Sequence, residues 1–154
     1  MIAFDSQISD FCFKPSFCSL DFLNDRLNEP STVWSVVTSH HPLATSSPEG
    51  YSHSGFLRGI FLKPWVCNRA DLWISGHAHH MEHRHDAGCN LDLFVSGGGG
   101  ATLHNIVTNE SPDVKFAKSS HGFLELVFFK DRYESRFINI DDQVVYESVR
   151  RRSN

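Results

Sequence analysis

Ala70-Asp71-Leu72-Trp73-Ile74-Ser75-Gly76-His77-Ala78-His79 is the stretch on which the reading of the fold turns. A short apolar run bounded by turn residues reads as a strand buried on both faces. It ends in a Gly-His turn, so a rigid strand fixes the backbone while the turn aims imidazoles outward. Upstream, Val33-Trp34-Ser35-Val36-Val37-Thr38 has the same character and runs directly into Ser39-His40-His41-Pro42. Downstream, Phe94-Val95-Ser96 is a third such run and leads into four glycines, Gly97 to Gly100, where bare backbone can pass close to a metal or an anion. In open α/β sheets ligands bind beyond the carboxyl ends of the strands. Three loops at one sheet edge are therefore expected to converge on one place.

The flanking segments complete an α/β reading. Ile2 to Phe4 is a short strand candidate, and Leu20, Leu23 and Leu27 recur at helical spacing behind Ser19 as N-cap, with Pro30 as the stop. Pro42 to Ser54 is rich in Ser, Pro and Gly and reads as a loop. Phe56, Leu57, Ile60 and Phe61 mark an amphipathic helix that Pro64 is expected to end or kink. After a polar loop around Asn109 to Asp113 the pattern changes. Phe123–Phe129, Tyr133–Ile140 and Val144–Val149 are separated by Lys130-Asp131 and Asp141-Asp142, the signature of an antiparallel meander. The expectation is α/β layers with an antiparallel C-terminal portion.

The chain has 154 residues, 40% of them hydrophobic, enough for a core of its own. With 14 Lys+Arg against 18 Asp+Glu and a formal charge of -4, nothing suggests a polyanion-binding surface, so no nucleic-acid partner is expected. No apolar run reaches the roughly 18 residues of a membrane span. The N-terminus carries Asp5 and Asp10 without a basic region and does not read as a signal peptide. Cys12, Cys18, Cys67 and Cys89 form no C-x-x-C and read more readily as buried or free thiols than as disulfides, the even count being weak evidence for pairing; Cys89 lies close to the histidines, but no recognised ligand spacing supports it as a metal ligand. Of ten histidines, half fall between His77 and His85. Neutral imidazole is the commonest protein ligand for transition metals. A lone histidine after a strand is ordinarily a satisfied polar residue, and His41, His80, His83, His85, His104 and His121 are assigned to that default.

The pairing of Ser39-His40-His41-Pro42 with Gly76-His77-Ala78-His79, together with His53-Ser54-Gly55, Ser96-Gly97-Gly98-Gly99 and His121-Gly122-Phe123, resembles the calcineurin-like metallophosphoesterases, most closely the purple acid phosphatase branch. The resemblance runs from about Phe4 onward. It implies the C-terminal half of a layered α/β/β/α sandwich ending in the meander. In such enzymes two metal ions about 3.5–4 Å apart activate a bridging hydroxide and clamp phosphate oxygens. The resemblance implies His40 and His77 as ligands of the second metal and His79 as a ligand of the first, with Fe, Zn or Mn as the ions. It implies His53 as the catalytic residue beside the substrate phosphate or leaving group, and His41 as a residue bordering the cleft. The substrate it implies is a phosphomonoester, small molecule or phosphoprotein.

The family also carries D-x-H, G-D-x-x-D or G-D-x-x-Y, and G-N-H, and none of these occurs in this sequence. They supply the bridging carboxylate that holds two cations together against their repulsion. Residues 1–154 therefore read as a partial domain, inactive alone, and a separate N-terminal half that completes the site as a partner is a further reading. A non-catalytic metal-binding fragment, or a gene remnant starting at an internal Met1, is the competing reading, and it predicts poor solubility from an open sheet edge. His79-His80-Met81-Glu82-His83 also spells H-x-x-E-H, a zinc metallopeptidase motif that requires a helix from about Ala78.

Overall fold

The computed structural model describes residues 1–4, 19–29, 33–48, 53–107 and 111–152. Strand β1 (Ile2–Phe4), helix α1 (Ser19–Asn28), β2 (Val36–Ser39), helix α2 (His53–Val66), β3 (Leu72–Ser75), β4 (Met81–Asp86), β5 (Leu91–Ser96) and β6 (Val114–Lys118) precede the meander β7 (Gly122–Phe128), β8 (Arg132–Asn139) and β9 (Val144–Arg151). A six-stranded sheet has the order β1-β2-β3-β5-β4-β6, and the meander forms a second, three-stranded sheet. Strands β1, β2, β3 and β5 are parallel, while β4 and β6 extend the edge antiparallel. The expected mixed α/β architecture is present, with three layers among the described residues.

Strand alternation sorts the core into two halves. Val37, Trp73, Leu91 and Leu93 pack with Leu23 of α1 and Leu62 and Val66 of α2. Val36, Leu72, Met81 and Phe94 face the other way and pack with Tyr133 and Phe137 of the meander. Two sequence expectations change here. Helix α2 runs past Pro64 to Val66. Pro64 and Ile60 are both exposed, so water can take the carbonyl that the proline leaves unbonded. Ile60 (52% exposed) and Phe61 (65%) face outward, and Leu62 and Val66 form the buried face. The helix is apolar nearly all round, so periodicity could not select the packed side. The side chains of Phe56 and Leu57 lie outside the described residues.

Strands β4 and β6 were not visible in the sequence. A buried carboxylate explains why a His-rich segment becomes a central strand. Asp92 on β5 accepts hydrogen bonds from His83 Nε2 (3.2 Å), His85 Nδ1 (2.7 Å), Arg150 (2.8 Å) and the Tyr133 hydroxyl. His83 and His85 come from β4, whereas Tyr133 and Arg150 come from the meander, so one carboxylate joins the two sheets. Burial pushes that carboxyl up, but the hydrogen bonds from His83, Tyr133 and Arg150 outweigh it and hold it well below the usual carboxylate range.

The opposite face of β4 carries a second buried carboxylate. Glu82, fully buried, accepts hydrogen bonds from the Ser46 backbone N–H (2.9 Å), Ser46 Oγ (2.7 Å), Thr45 Oγ1 (3.0 Å), His80 Nε2 (2.8 Å) and Arg84 (2.8 Å). These bonds tie the loop after β2 to β4. Burial raises the Glu82 carboxyl, but the bonds from His80 and Ser46 and the charge of Arg84 win and bring it to about 2 from the ordinary 4.5.

The cysteine reading is corrected: Cys67 and Cys89 form a disulfide that clips the end of α2 to the β4–β5 turn, and Cys89 is therefore not a metal ligand. Their separation of 22 residues contained no motif, and only the packing of α2 on the sheet brings them together. Cys12 and Cys18 lie outside the described residues.

Reducing this disulfide is expected to cost about 3 kcal/mol through the freed loop, lowering Tm by roughly 6–12 °C. A thermal melt with and without reductant measures it. Acid is expected to destabilise as well. Glu82 and Asp92 have folded-state values below their unfolded ones, so their contribution is present above the ordinary carboxylate range and is lost as the folded chain is forced to take up protons. For Glu82 the loss should run from about pH 4.5 down to about 2. Urea midpoints measured across that interval should fall steadily, and Glu82→Gln should flatten part of the slope.

Candidate metal centre

The parallel register sets Ser39 beside Ser75, the last residues of β2 and β3. One more backbone bond, from Gly76 N–H to the His40 carbonyl (3.1 Å), continues the pairing past the strand ends. The chain then turns sharply, with Ala78 N–H bonded to the Gly76 carbonyl (2.7 Å) and His77 at φ 58°. A left-handed conformation at a residue with a β-carbon is uncommon outside functional sites and tight turns. The turn swings the His77 ring back over β2, where its Nδ1 lies 3.1 Å from His40 Nε2.

His41 completes the group. Its ring centroid lies 4.7 Å from that of His40 and 4.4 Å from that of His77. Each of the three offers one ring nitrogen, and these lie within 4.8 Å of one another. His40 is exposed, His77 half-buried and His41 buried. The His41 carbonyl accepts from Ser39 Oγ (2.7 Å) and the Trp73 indole (3.3 Å), which anchors the backbone below the ring. No carboxylate among the described residues belongs to this group.

His40 and His77, expected at one metal, lie together. His79, assigned to the other metal, lies outside the group. Its Nδ1 donates to the Thr102 carbonyl (2.8 Å), leaving Nε2 as the lone-pair nitrogen, the arrangement typical of a metal-ligating imidazole. Its backbone N–H bonds His104 Nδ1 (3.1 Å), and the two rings stack at 4.2 Å. His53 is the first residue of α2, and its side chain lies outside the described residues. His41, treated as a cleft border, belongs to the histidine group instead; the His-His dipeptide directly behind a strand was the available signal.

His80, His83 and His85 serve the two buried carboxylates. The H-x-x-E-H reading fails because residues 81–86 form a strand. Alternation sends Glu82 towards the Thr45–Ser46 loop and His83 towards Asp92 and Tyr146, so the two cannot share a face.

The glycine run holds the turn in place by close packing. A β-carbon on Gly97 would lie 1.9 Å from the Ala78 carbonyl oxygen, and one on Gly98 would lie 2.5 Å from that of Ser120. Gly99 faces open space. The run therefore lets the strand end pass beneath the His77–His79 turn and the start of the meander.

No family model matches the chain. Its sequence is 24% identical over 122 residues to purple acid phosphatase 4 of Arabidopsis thaliana, covering 79% of this chain and 35% of that relative. Among solved structures it is similar to GAP50, described as the anchor in the inner membrane complex of Plasmodium, at TM-score 0.83 and 18% identity, covering 99% of this chain and 49% of that one. It is also similar to the purple acid phosphatase PPD1 of yellow lupin (Lupinus luteus), at TM-score 0.77 and 18% identity over 96% of this chain and 30% of that one. The chain thus spans well under half the length of the curated relative it matches.

The layered α/β fold of this chain is the one seen in these two structures. In sequence the chain is similar to purple acid phosphatases over 79% of its length.

Gly97→Ala is expected to destabilise by about 1–3 kcal/mol through overpacking against the His77–His79 turn, whereas Gly99→Ala should stay within about 0.5 kcal/mol of the unsubstituted chain. Paired urea titrations separate the two; equal effects would contradict the close approach at Gly97.

Proposed function

We propose that this chain carries the C-terminal share of a metal-dependent phosphoesterase centre. In this reading His40 and His77 bind one metal ion, His79 binds a second, and His53 stands beside the substrate phosphate. The activity of the completed domain is acid phosphatase-like hydrolysis of phosphomonoesters, on small molecules or phosphoproteins. The observation that carries the reading is the 3.1 Å approach of His40 Nε2 to His77 Nδ1 at the carboxyl edge of two parallel strands. That is where α/β sheets place their ligands, and the spacing suits two ligands of one ion.

The residues present fit one metal position and not the paired one. Two cations within about 4 Å need a bridging anion between them, and the described residues contribute only neutral imidazoles to the group. No chemical step is therefore assigned to residues 1–154 alone, which we read as part of a larger domain. When bound, the ions (Fe, Zn or Mn) supply Lewis acidity and an activated water. This chain's residues hold and orient them, and a protonated His53 would stabilise phosphate charge and hand a proton to the leaving oxygen. That no carboxylate among the described residues joins the group equally supports a second reading, a non-catalytic metal-binding fragment.

With Fe, Zn or Mn added, the 154-residue chain should hydrolyse an aryl phosphate no faster than background. Adding a polypeptide that bears D-x-H, G-D-x-x-D/Y and G-N-H should bring metal-dependent turnover, which His77→Ala should abolish. Silence of the mixture would overturn the phosphatase reading, and turnover by the chain alone would overturn its incompleteness.

A further inference from the structure

We infer that His40, His41 and His77 together bind a single borderline divalent metal ion, Zn2+ or Co2+ in class, with His41 as a full ligand. The inference rests on the phosphatase reading only in sharing His40 and His77; it needs neither the second metal nor any further polypeptide. Three protein imidazoles plus one open position is a recognised ligand set of catalytic zinc. Metal–nitrogen bonds of about 2.0–2.1 Å at tetrahedral angles hold ligand nitrogens about 3.3 Å apart. His40 Nε2 and His77 Nδ1 already stand at 3.1 Å, a separation at which two imidazoles share either a proton or a cation. The third nitrogen, on His41, lies within 4.8 Å of both.

The surroundings favour one ion of this type. All three donors are neutral nitrogens, which suit Zn2+ or Co2+ and discriminate against Mg2+ and Ca2+, whose preferred ligands are oxygens. No carboxylate among the described residues joins the group, so one dication can be held and a second would meet uncompensated repulsion. The backbone around the group is rigid: His41 is anchored through its carbonyl by Ser39 and Trp73, and His77 is fixed in a left-handed turn that Gly97 packs against. Exposed His40 lines the open side, which leaves the fourth position to water or an oxyanion.

Cobalt titration of the chelator-stripped chain tests this. One equivalent of Co2+ should give the intense visible bands of a four-coordinate ion, displaced by one equivalent of Zn2+. His41→Phe keeps the ring volume and removes both nitrogens. It should weaken binding by more than about a hundredfold, since losing even a hydrogen-bonded neighbour of a ligand costs about ten- to a hundredfold. His85→Ala, at the other end of the sheet, should bind as the unsubstituted chain does. Circular dichroism checks each fold, and His41→Gln carries the same prediction should His41→Phe not fold. Absence of the cobalt bands in the unsubstituted chain, or their survival with unchanged affinity in the folded His41 variant, would overturn the inference. The phosphatase reading fails separately, by absence of turnover in the completed domain while cobalt binding persists.

Discussion

The parallel register of β2 on β3 is the constraint on which the rest depends. It aligns Ser39 with Ser75 and thereby places two histidine-bearing turns side by side. A slip of one residue would turn Leu72 and Trp73 each to the wrong side of the sheet. Trp73 packs among the helices and Leu72 against the meander, both fully buried, so such a slip would expose two large apolar faces at once. The geometry at the sheet edge is thus held by hydrophobic burial several residues below it. The histidines themselves need contribute nothing to stability, and His77 adopts a conformation that disfavours it.

Two buried carboxylates supply the polar part of the framework, and they account for histidines that a metal site does not need. Asp92 engages His83 and His85, and Glu82 engages His80. A buried acid without partners would be costly, and each of these is surrounded by donors on several elements. The result is directional: Asp92 fastens the meander to the main sheet, and Glu82 fastens the loop behind His40 and His41 to β4. The dense run between His77 and His85 therefore divides by position. Its first members sit at the sheet edge, and the later ones are interior donors along a strand. Glu82 and His83 face opposite ways for the same reason.

The likeness to purple acid phosphatases spans most of this chain but well under half of the relative, and the chemistry at the edge agrees with that share. Imidazoles are present in number, while among the described residues no anionic ligand of the kind a paired-metal centre requires joins the group. A shared fold does not by itself dictate catalysis. Activity must be argued from the ligand set.

The buried parallel strands, the turn histidines behind them and the meander were legible in the sequence because each is a local pattern: apolar runs, a Gly-His turn, period-two alternation. His40 and His77 were legible together because equivalent positions behind adjacent parallel strands must meet. The disulfide, the exposed side of α2, strand β4 and the place of His41 were not. Cys67 and Cys89 meet only after α2 packs on the sheet, and the outward face of an apolar helix is chosen by what it packs against. A segment as polar as Met81–Asp86 becomes a strand because Asp92 and Glu82 and their donors, drawn from distant parts of the chain, satisfy its side chains. Local sequence determined where the imidazoles leave the backbone. Which of them share a site, and which spend their nitrogens on buried acids, was decided by tertiary packing, because hydrogen-bond partners for a buried group are supplied by neighbours in space.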